Sequence, residues 1–192
     1  MNLPPLVPHP VFLDMDGVLS DFFSGVARLF DRPVASLARG EYDMIKVLGV
    51  PFVELNYRII TSRFWADLDA YPWAQQLANL FDFSPTGDAF VLSTPWPGDE
   101  QCLADKAGWC RDRLGIPEDR VILTSHKHLF AGRGRLLIDD RRDECVRWQE
   151  LGGRACEFPA HHNAVRLPAG QTPVDLVRAC LATFRLLFPP SP

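Results

Sequence analysis

Two aspartates, Asp14 and Asp16, stand two residues apart at the end of the apolar run Val11-Phe12-Leu13, and Gly17 follows at once. Carboxylates this close repel each other, and a protein interior does not accept both without compensation. Other apolar runs end in polar residues too: one in Ser93-Thr94-Pro95, another in Asp139-Asp140-Arg141, with Lys127 of "SHKH" shortly before it. If these runs are parallel strands of one sheet, their carboxyl ends share an edge and the residues can converge there. Four aspartates on one edge call for a hard divalent cation such as Mg2+, which takes oxygen ligands and keeps places for water and phosphate oxygens. Lys127 adds a positive charge. The set suits a phosphate held between a cation, a lysine, a hydroxyl and backbone N–H groups.

Positioning these groups requires the right elements. Five short apolar runs, rich in branched residues and without strict alternation, read as buried parallel strands: Val11–Leu13, Ala89–Pro95, Arg120–Ser125, Arg135–Asp140 and Arg154–Pro159. Helical patterns lie between them. Over Asp99–Leu114, the residues Leu103, Ala107, Cys110 and Leu114 recur at helical spacing, and Gly115 follows as a stop. Arg142–Leu151 runs into Gly152-Gly153. Thr172-Pro173-Val174-Asp175 supplies a cap, a proline at the first helical position and an acid in the first turn, with Val177, Cys180, Phe184 and Leu187 on one face behind it. Strands alternating with helices imply βαβ units and a parallel sheet covered on both faces. One segment breaks the alternation. Asp21 to about Trp73 holds helical stretches only, one with Phe22, Phe23, Val26, Leu29 and Phe30 on a face and another over Phe52–Trp65. An insertion after the first strand sits over the carboxyl edge of the sheet.

Composition excludes several classes. The chain has 192 residues, 47% apolar and 23% charged, which suits a soluble domain with a sizeable core. No apolar run approaches a membrane span, and "MNLPPLVPHP" lacks the basic and apolar regions of a signal peptide. A net charge of -4 leaves no footprint for a nucleic-acid polymer. Five scattered cysteines without a C-x-x-C pair suggest neither zinc nor a disulfide framework, so a cytoplasmic location with thiols as core residues is expected. The proline-rich ends are expected to be frayed or extended.

D-x-D-G-V after an apolar strand, a strand ending in Ser/Thr, a lysine, and a strand ending in D-D, in that order, resemble the four motifs of the haloacid dehalogenase (HAD) superfamily of phosphatases. "DMDGVLSDF", "VLSTPW" and "TSHKH…LLIDDR" are similar to its 5'(3')-deoxyribonucleotidase branch. The resemblance implies an α/β fold with a Rossmann-like HAD core over about 9–20 and 74–188. A small helical cap would be inserted over about 21–73, all within one domain spanning 1–192. It implies a Mg2+-dependent phosphomonoesterase: Asp14 as nucleophile forming an aspartyl-phosphate, and Asp16 as acid and then base. Ser93, with Thr94 nearby, would bind the phosphoryl oxygens, and Lys127 the phosphate and the nucleophile. Asp140 would be a direct metal ligand with Asp14, Asp139 an outer or alternative ligand, and the backbone carbonyl of Asp16 a further one. Lys106 would stand at the mouth of the site. Phe22 with Phe64 or Trp65 would line a base pocket, and Arg141 would contact the substrate. The expected partner is a small phosphorylated metabolite, by preference a nucleoside monophosphate, with a homodimer left open.

Blander readings stand beside these. Asp14 and Asp16 could be solvated turn residues, Asp139-Asp140 a helix-capping cluster, and Lys106 a solvated helix lysine. His126, His128, His161 and His162 read as surface loop histidines. The insertion departs from the tryptophan-containing pattern of those nucleotidases, with Tyr42 as the aromatic of "LARGEYDMIKVLG". A HAD phosphatase for another phosphomonoester is the alternative. A non-catalytic phosphate-binding module is less economical, because binding alone does not need the second carboxylate of D-x-D. Dehalogenase chemistry leaves the paired Asp139-Asp140 without a task.

Overall fold

A computed structural model describes residues 9–37 and 40–189. The termini expected to fray therefore fall mostly outside the described residues. Five parallel strands form one sheet: β1 (Val11–Leu13), β2 (Ala89–Ser93), β3 (Val121–Leu123), β4 (Leu136–Asp139) and β5 (Arg154–Glu157), in the order β3-β2-β1-β4-β5. β1 lies at the centre and is wholly buried, which is why its three residues are all apolar. Its two faces serve two cores. Phe12 meets Leu92, Leu137 and Trp148 on one side, while Val11 and Leu13 join the larger core on the other.

Seven α-helices complete the described residues. α4 (Ala74–Ala78), α5 (Cys102–Leu114), α6 (Arg142–Glu150) and α7 (Pro173–Leu187) accompany the strands, while α1 (Phe22–Leu29), α2 (Met44–Leu48) and α3 (Phe52–Ile60) form the insertion between β1 and α4. Its two ends run side by side. Asp21 N–H donates to Asp69 O (2.8 Å) and Tyr71 N–H to Leu19 O (2.9 Å), so the insertion leaves and rejoins the core at one place. Local signals placed the helix ends well. Thr172 and Asp175 form a reciprocal capping box with Pro173 in the first turn, and Gly115 closes α5 in the left-handed conformation at φ 69°.

Which helix faces are buried differs from the spacing in two places. In α5, Ala107, Cys110 and Leu114 are buried as the spacing predicts, but Leu103 is 56% exposed, and Cys102, Asp105, Lys106 and Trp109 are buried as well. In α7 the buried stripe is Val174, Val177, Leu181 and Phe184; Cys180 is half-buried and Leu187 is exposed. Both stripes of α7 obey helical spacing and share Val177 and Phe184, so only docking against the sheet chooses between them. The expected helix over Phe52–Trp65 stops at Ile60, where the Thr61 hydroxyl donates to Tyr57 O (2.6 Å) and the chain turns. Phe64 and Trp65 therefore lie in turns beyond the helix.

Candidate active site

β1 delivers Asp14 to the carboxyl edge of the sheet, and its N–H extends the pairing with β4 by donating to Ile138 O (2.8 Å). The chain then turns tightly: Leu19 and Ser20 N–H both donate to Met15 O, and Gly17 N–H to Ser20 O. Gly17 adopts φ +82°. A Cβ there would lie 1.8 Å from Asp140 Oδ2, so glycine is required both by the backbone and by the approach of β4's aspartate.

The convergence expected from the strand ends is realised. Carboxylate oxygens of Asp14, Asp139 and Asp140, all three residues buried, lie within 4.8 Å of one another. Lys127, buried in a 3-10 turn before β4, reaches Asp139 Oδ2 at 2.7 Å and Asp14 Oδ1 at 2.9 Å. Burial opposes the charge of Lys127, but the Asp139 and Asp14 carboxylates outweigh it and hold its pKa above the ordinary lysine range. Burial pushes the Asp139 carboxyl up to about 6 against the pull of Lys127. Asp140 is pushed well above the usual carboxylate range by burial, then by Asp139 and Asp14. These three acids form a buried, all-oxygen donor set with Lys127 as their shared cation, and such a set fits a hard divalent ion. The two neighbours differ in position. Asp139 is fully buried, held by Lys127 and by the Arg141 N–H (2.9 Å), whereas Asp140 faces the cavity.

Asp16 has separate partners. Its Oδ1 accepts from the Ser20 hydroxyl (3.1 Å), and its Oδ2 lies 2.5 Å from Lys106 Nζ. Lys106 is fully buried; it also donates to Ser93 Oγ (3.1 Å) and Thr94 O (2.8 Å) and sits 4.1 Å from the centre of the Trp65 ring. The solvated-lysine reading of Lys106 is therefore excluded, and its place is beneath Asp16 rather than at the mouth. Spacing along α5 is no guide here: Cys102, Trp109 and Cys110 at i−4, i+3 and i+4 are buried, but Leu103 at i−3 is exposed.

A cavity of about 200 Å³ opens above these groups. Asp14, Asp16, Lys127 and Asp140 contribute to its floor, and Phe22, Tyr42, Trp65 and Trp96 to its walls, with Thr94 and Arg141 beside them. Phe22 and Trp65 stack at 6.0 Å. Phe64 does not reach the cavity; it packs edge-on against Phe22 and Trp65 from behind and faces a separate groove with Gly25 and Leu68. Ser93 is fully buried and bonded to Lys106, with its hydroxyl 3.5 Å from Asp16 Oδ2, while its neighbour Thr94 lines the cavity. Trp96 was not anticipated. Pro95 and Pro97 keep its segment extended at the end of β2, and its ring nitrogen donates to Asn56 of α3 (2.8 Å). Arg141 lies 4.5 Å from the Tyr42 ring centre and is bonded to Asp143; burial disfavours its charge, but Asp143 leads the interactions that raise its pKa.

The histidines divide. His126 is exposed, His128 and His161 are half-buried, and His162 is buried against Asp140, contrary to the surface reading. Burial lowers its pKa.

The fold is that of HAD-type hydrolases. A HAD family hydrolase from Deinococcus radiodurans R1, solved with bound phosphate and sodium, superposes with TM-score 0.58 at 16% identity over 95% of this chain and 99% of that one. A HAD-like hydrolase from Xanthomonas campestris gives 0.51 at 11% identity over 97% of each chain. No family model matches the chain. Among curated proteins, human cytosolic-type 5'(3')-deoxyribonucleotidase is 32% identical over 177 residues, 82% of this chain and 84% of the relative. The mouse mitochondrial 5'(3')-deoxyribonucleotidase is 30% identical over 149 residues, 69% of this chain and 64% of the relative. The chain belongs to the 5'(3')-deoxyribonucleotidase family of HAD phosphatases.

Proposed function

We propose that this phosphatase is a Mg2+-dependent 5'-nucleotidase that hydrolyses (deoxy)ribonucleoside monophosphates through an aspartyl-phosphate. One observation carries the reading. Asp14 and Asp16 open onto one cavity but rest on different lysines, so two neighbouring carboxylates have surroundings suited to two tasks. The aromatic walls above them suit a nucleobase. The names of the curated relatives support the substrate class.

Asp14 is assigned the attack on phosphorus. Its Oδ1 accepts from Lys127 and from the Met15 N–H (2.8 Å), which leaves Oδ2 without a protein partner among the described residues and oriented by the other two bonds. As the aspartyl–phosphorus bond forms and the ester P–O bond breaks, Asp16 passes its proton to the leaving alkoxide. Asp16 then takes a proton from the water that cleaves the acyl phosphate, releasing inorganic phosphate and restoring both carboxyl groups. Lys127 and the Thr94 hydroxyl bind phosphoryl oxygens, and Ser93 steadies Asp16 from behind. Asp14 and Asp140, with the Asp16 carbonyl, would hold Mg2+, and Asp139 supports them through Lys127. The ion, when bound, offsets the charge that the phosphoryl group and carboxylates share. Residues 21–73 act as a cap, with Phe22, Tyr42 and Trp65 gripping the nucleoside. A cytoplasmic location rests on the five free cysteines and the cytosolic relative; no helix among the described residues is long and apolar enough to cross a membrane.

The test is a screen of nucleoside, sugar and cofactor monophosphates with native protein and Asp14→Asn, together with borohydride trapping of the acyl phosphate. Preference for nucleotides and a trapped product at Asp14 are expected. Equal rates on sugar phosphates would move the substrate class to another phosphomonoester, and turnover by Asp14→Asn would refute the nucleophile.

A further inference from the structure

The loop after β5, Phe158 to Val165, carries "HHN" at 161–163, three residues that the reaction as described does not use. Asp140 stands just past the end of β4, where the sheet no longer occupies its backbone carbonyl. That carbonyl accepts two side-chain donors from this loop, Asn163 Nδ2 at 2.9 Å and His162 Nε2 at 3.1 Å.

The Asn163 amide is saturated. Nδ2 donates to Asp140 O and to Phe158 O (2.7 Å), and Oδ1 accepts from the N–H groups of Ala160 (3.1 Å) and Val165 (3.2 Å). A flipped amide would set oxygen against two carbonyls and nitrogen against two N–H groups, so the four partners fix its orientation. Asn163 thus ties its own loop into a turn and uses one bond of that turn to hold Asp140. His162 is equally constrained. A carbonyl only accepts, so Nε2 carries the proton. Nδ1 is buried without a hydrogen-bond partner among the described residues, 3.8 Å from Asp140 Oδ2. The ring stacks on Phe23 of α1 (5.4 Å, 13°) and meets the edge of Tyr42 (5.2 Å). Phe23 and Tyr42 both line the cavity.

We propose that Asn163 and His162 are positioning residues that hold Asp140 toward the divalent cation, with His162 resting this support on the cap through Phe23 and Tyr42. The inference rests on the reading that Asp140 takes part in binding that cation. It deepens that reading, because Asp140 has Gly17 on one side and this loop on the other. Its carboxylate has no side-chain donor of its own within hydrogen-bond distance among the described residues. Loss of groups that orient a metal ligand typically weakens affinity roughly 10- to 100-fold.

The experiment titrates metal-free full-length protein with Mn2+, followed by electron paramagnetic resonance of the free ion and by calorimetry, so that no turnover is needed. Asn163→Ala and His162→Phe are expected to weaken Mn2+ binding by that factor. His162→Phe keeps the ring on Phe23, so it remains informative if Asn163→Ala fails to fold. His162→Gln, whose amide can supply the Nε2 donor, is expected to recover most of the affinity. Asp140→Asn separates the two levels of inference. If it loses Mn2+ while Asn163→Ala and His162→Phe bind within about twofold of native protein, the positioning role is overturned and the cation site stands. If Asp140→Asn binds as the native protein does, the cation reading falls and the positioning role falls with it. A His162→Gln variant as weak as His162→Phe would also count against the proposal, because the donor would then not matter.

Discussion

Replacing Lys106 by methionine removes the ammonium beneath Asp16 and keeps most of the stem that packs on Trp65. Three hydrogen bonds disappear: to Asp16 Oδ2 at 2.5 Å, Ser93 Oγ at 3.1 Å and Thr94 O at 2.8 Å. Breaking a buried ion pair by removing one partner costs about 3–5 kcal/mol. The Asp16 side chain is 22% exposed and retains the Ser20 hydroxyl, which favours the lower end, about 3 kcal/mol. For a chain of this size that lowers Tm by roughly 6–12 °C. The kinetic effect depends on the leaving group. With Lys106 gone, nothing but Ser20 and Ser93 orients the Asp16 carboxyl, and general acid catalysis contributes about 10²–10⁴-fold when positioned. A nucleoside alkoxide needs that proton, whereas p-nitrophenolate, a far weaker base, leaves almost unaided. The expected result is a fall in kcat of about 10²-fold on a nucleoside monophosphate and a much smaller fall on p-nitrophenyl phosphate, both measured well below the lowered Tm. Equal losses on the two substrates would refute the argument and reassign Lys106 to phosphate binding. Unchanged kcat on both would show that Asp16 needs no seat.

Gly17→Ala places a methyl where Asp140 Oδ2 now lies, at a positive φ that itself costs about 1–2 kcal/mol; calorimetry should show Mn2+ affinity falling more than tenfold, and native affinity would refute the close approach. In metal-free protein the raised Asp139 carboxyl keeps its proton in the native state longer than in the unfolded chain, so stability falls as pH rises from about 4 toward 6. Mg2+ at the proposed site would bind the ionised acids, so the Mg2+-induced rise in Tm should grow over the same window; a pH-independent rise in thermal melts would contradict the raised carboxyls. Tyr42→Ala removes an aromatic wall on a half-exposed residue, and should lower kcat/KM for a nucleotide about tenfold with much less effect on p-nitrophenyl phosphate; equal effects would exclude a base contact.

Much of this was legible because it is coded locally. Strands of three to five residues announce themselves as apolar runs, and their polar ends mark the sheet edge where Asp14 and Asp139-Asp140 meet, although Thr94 rather than the expected Ser93 lines the cavity there. Thr172, Pro173 and Asp175 specify a helix start through bonds spanning three residues. Gly17 beside D-x-D reads as a turn, although its second purpose, admitting Asp140, required the neighbouring strand.

The sequence by itself determined the order of strands and helices, the carboxylates at the strand ends and the need for compensating positive charge. Tertiary structure decided who supplies it and to whom. Lys106 and Asp16 are 90 residues apart, and no periodicity distinguishes a lysine that turns inward from one that faces water. Phe64 and Trp65 are adjacent, yet only Trp65 reaches the cavity, because α3 ends at Ile60 and the turns beyond it set the direction of each ring. His162 looked like a loop histidine until the loop folded back onto β4. Short-range bonds follow spacing along the chain, whereas these contacts arise from how βαβ crossovers and the insertion pack, and that depends on every face at once.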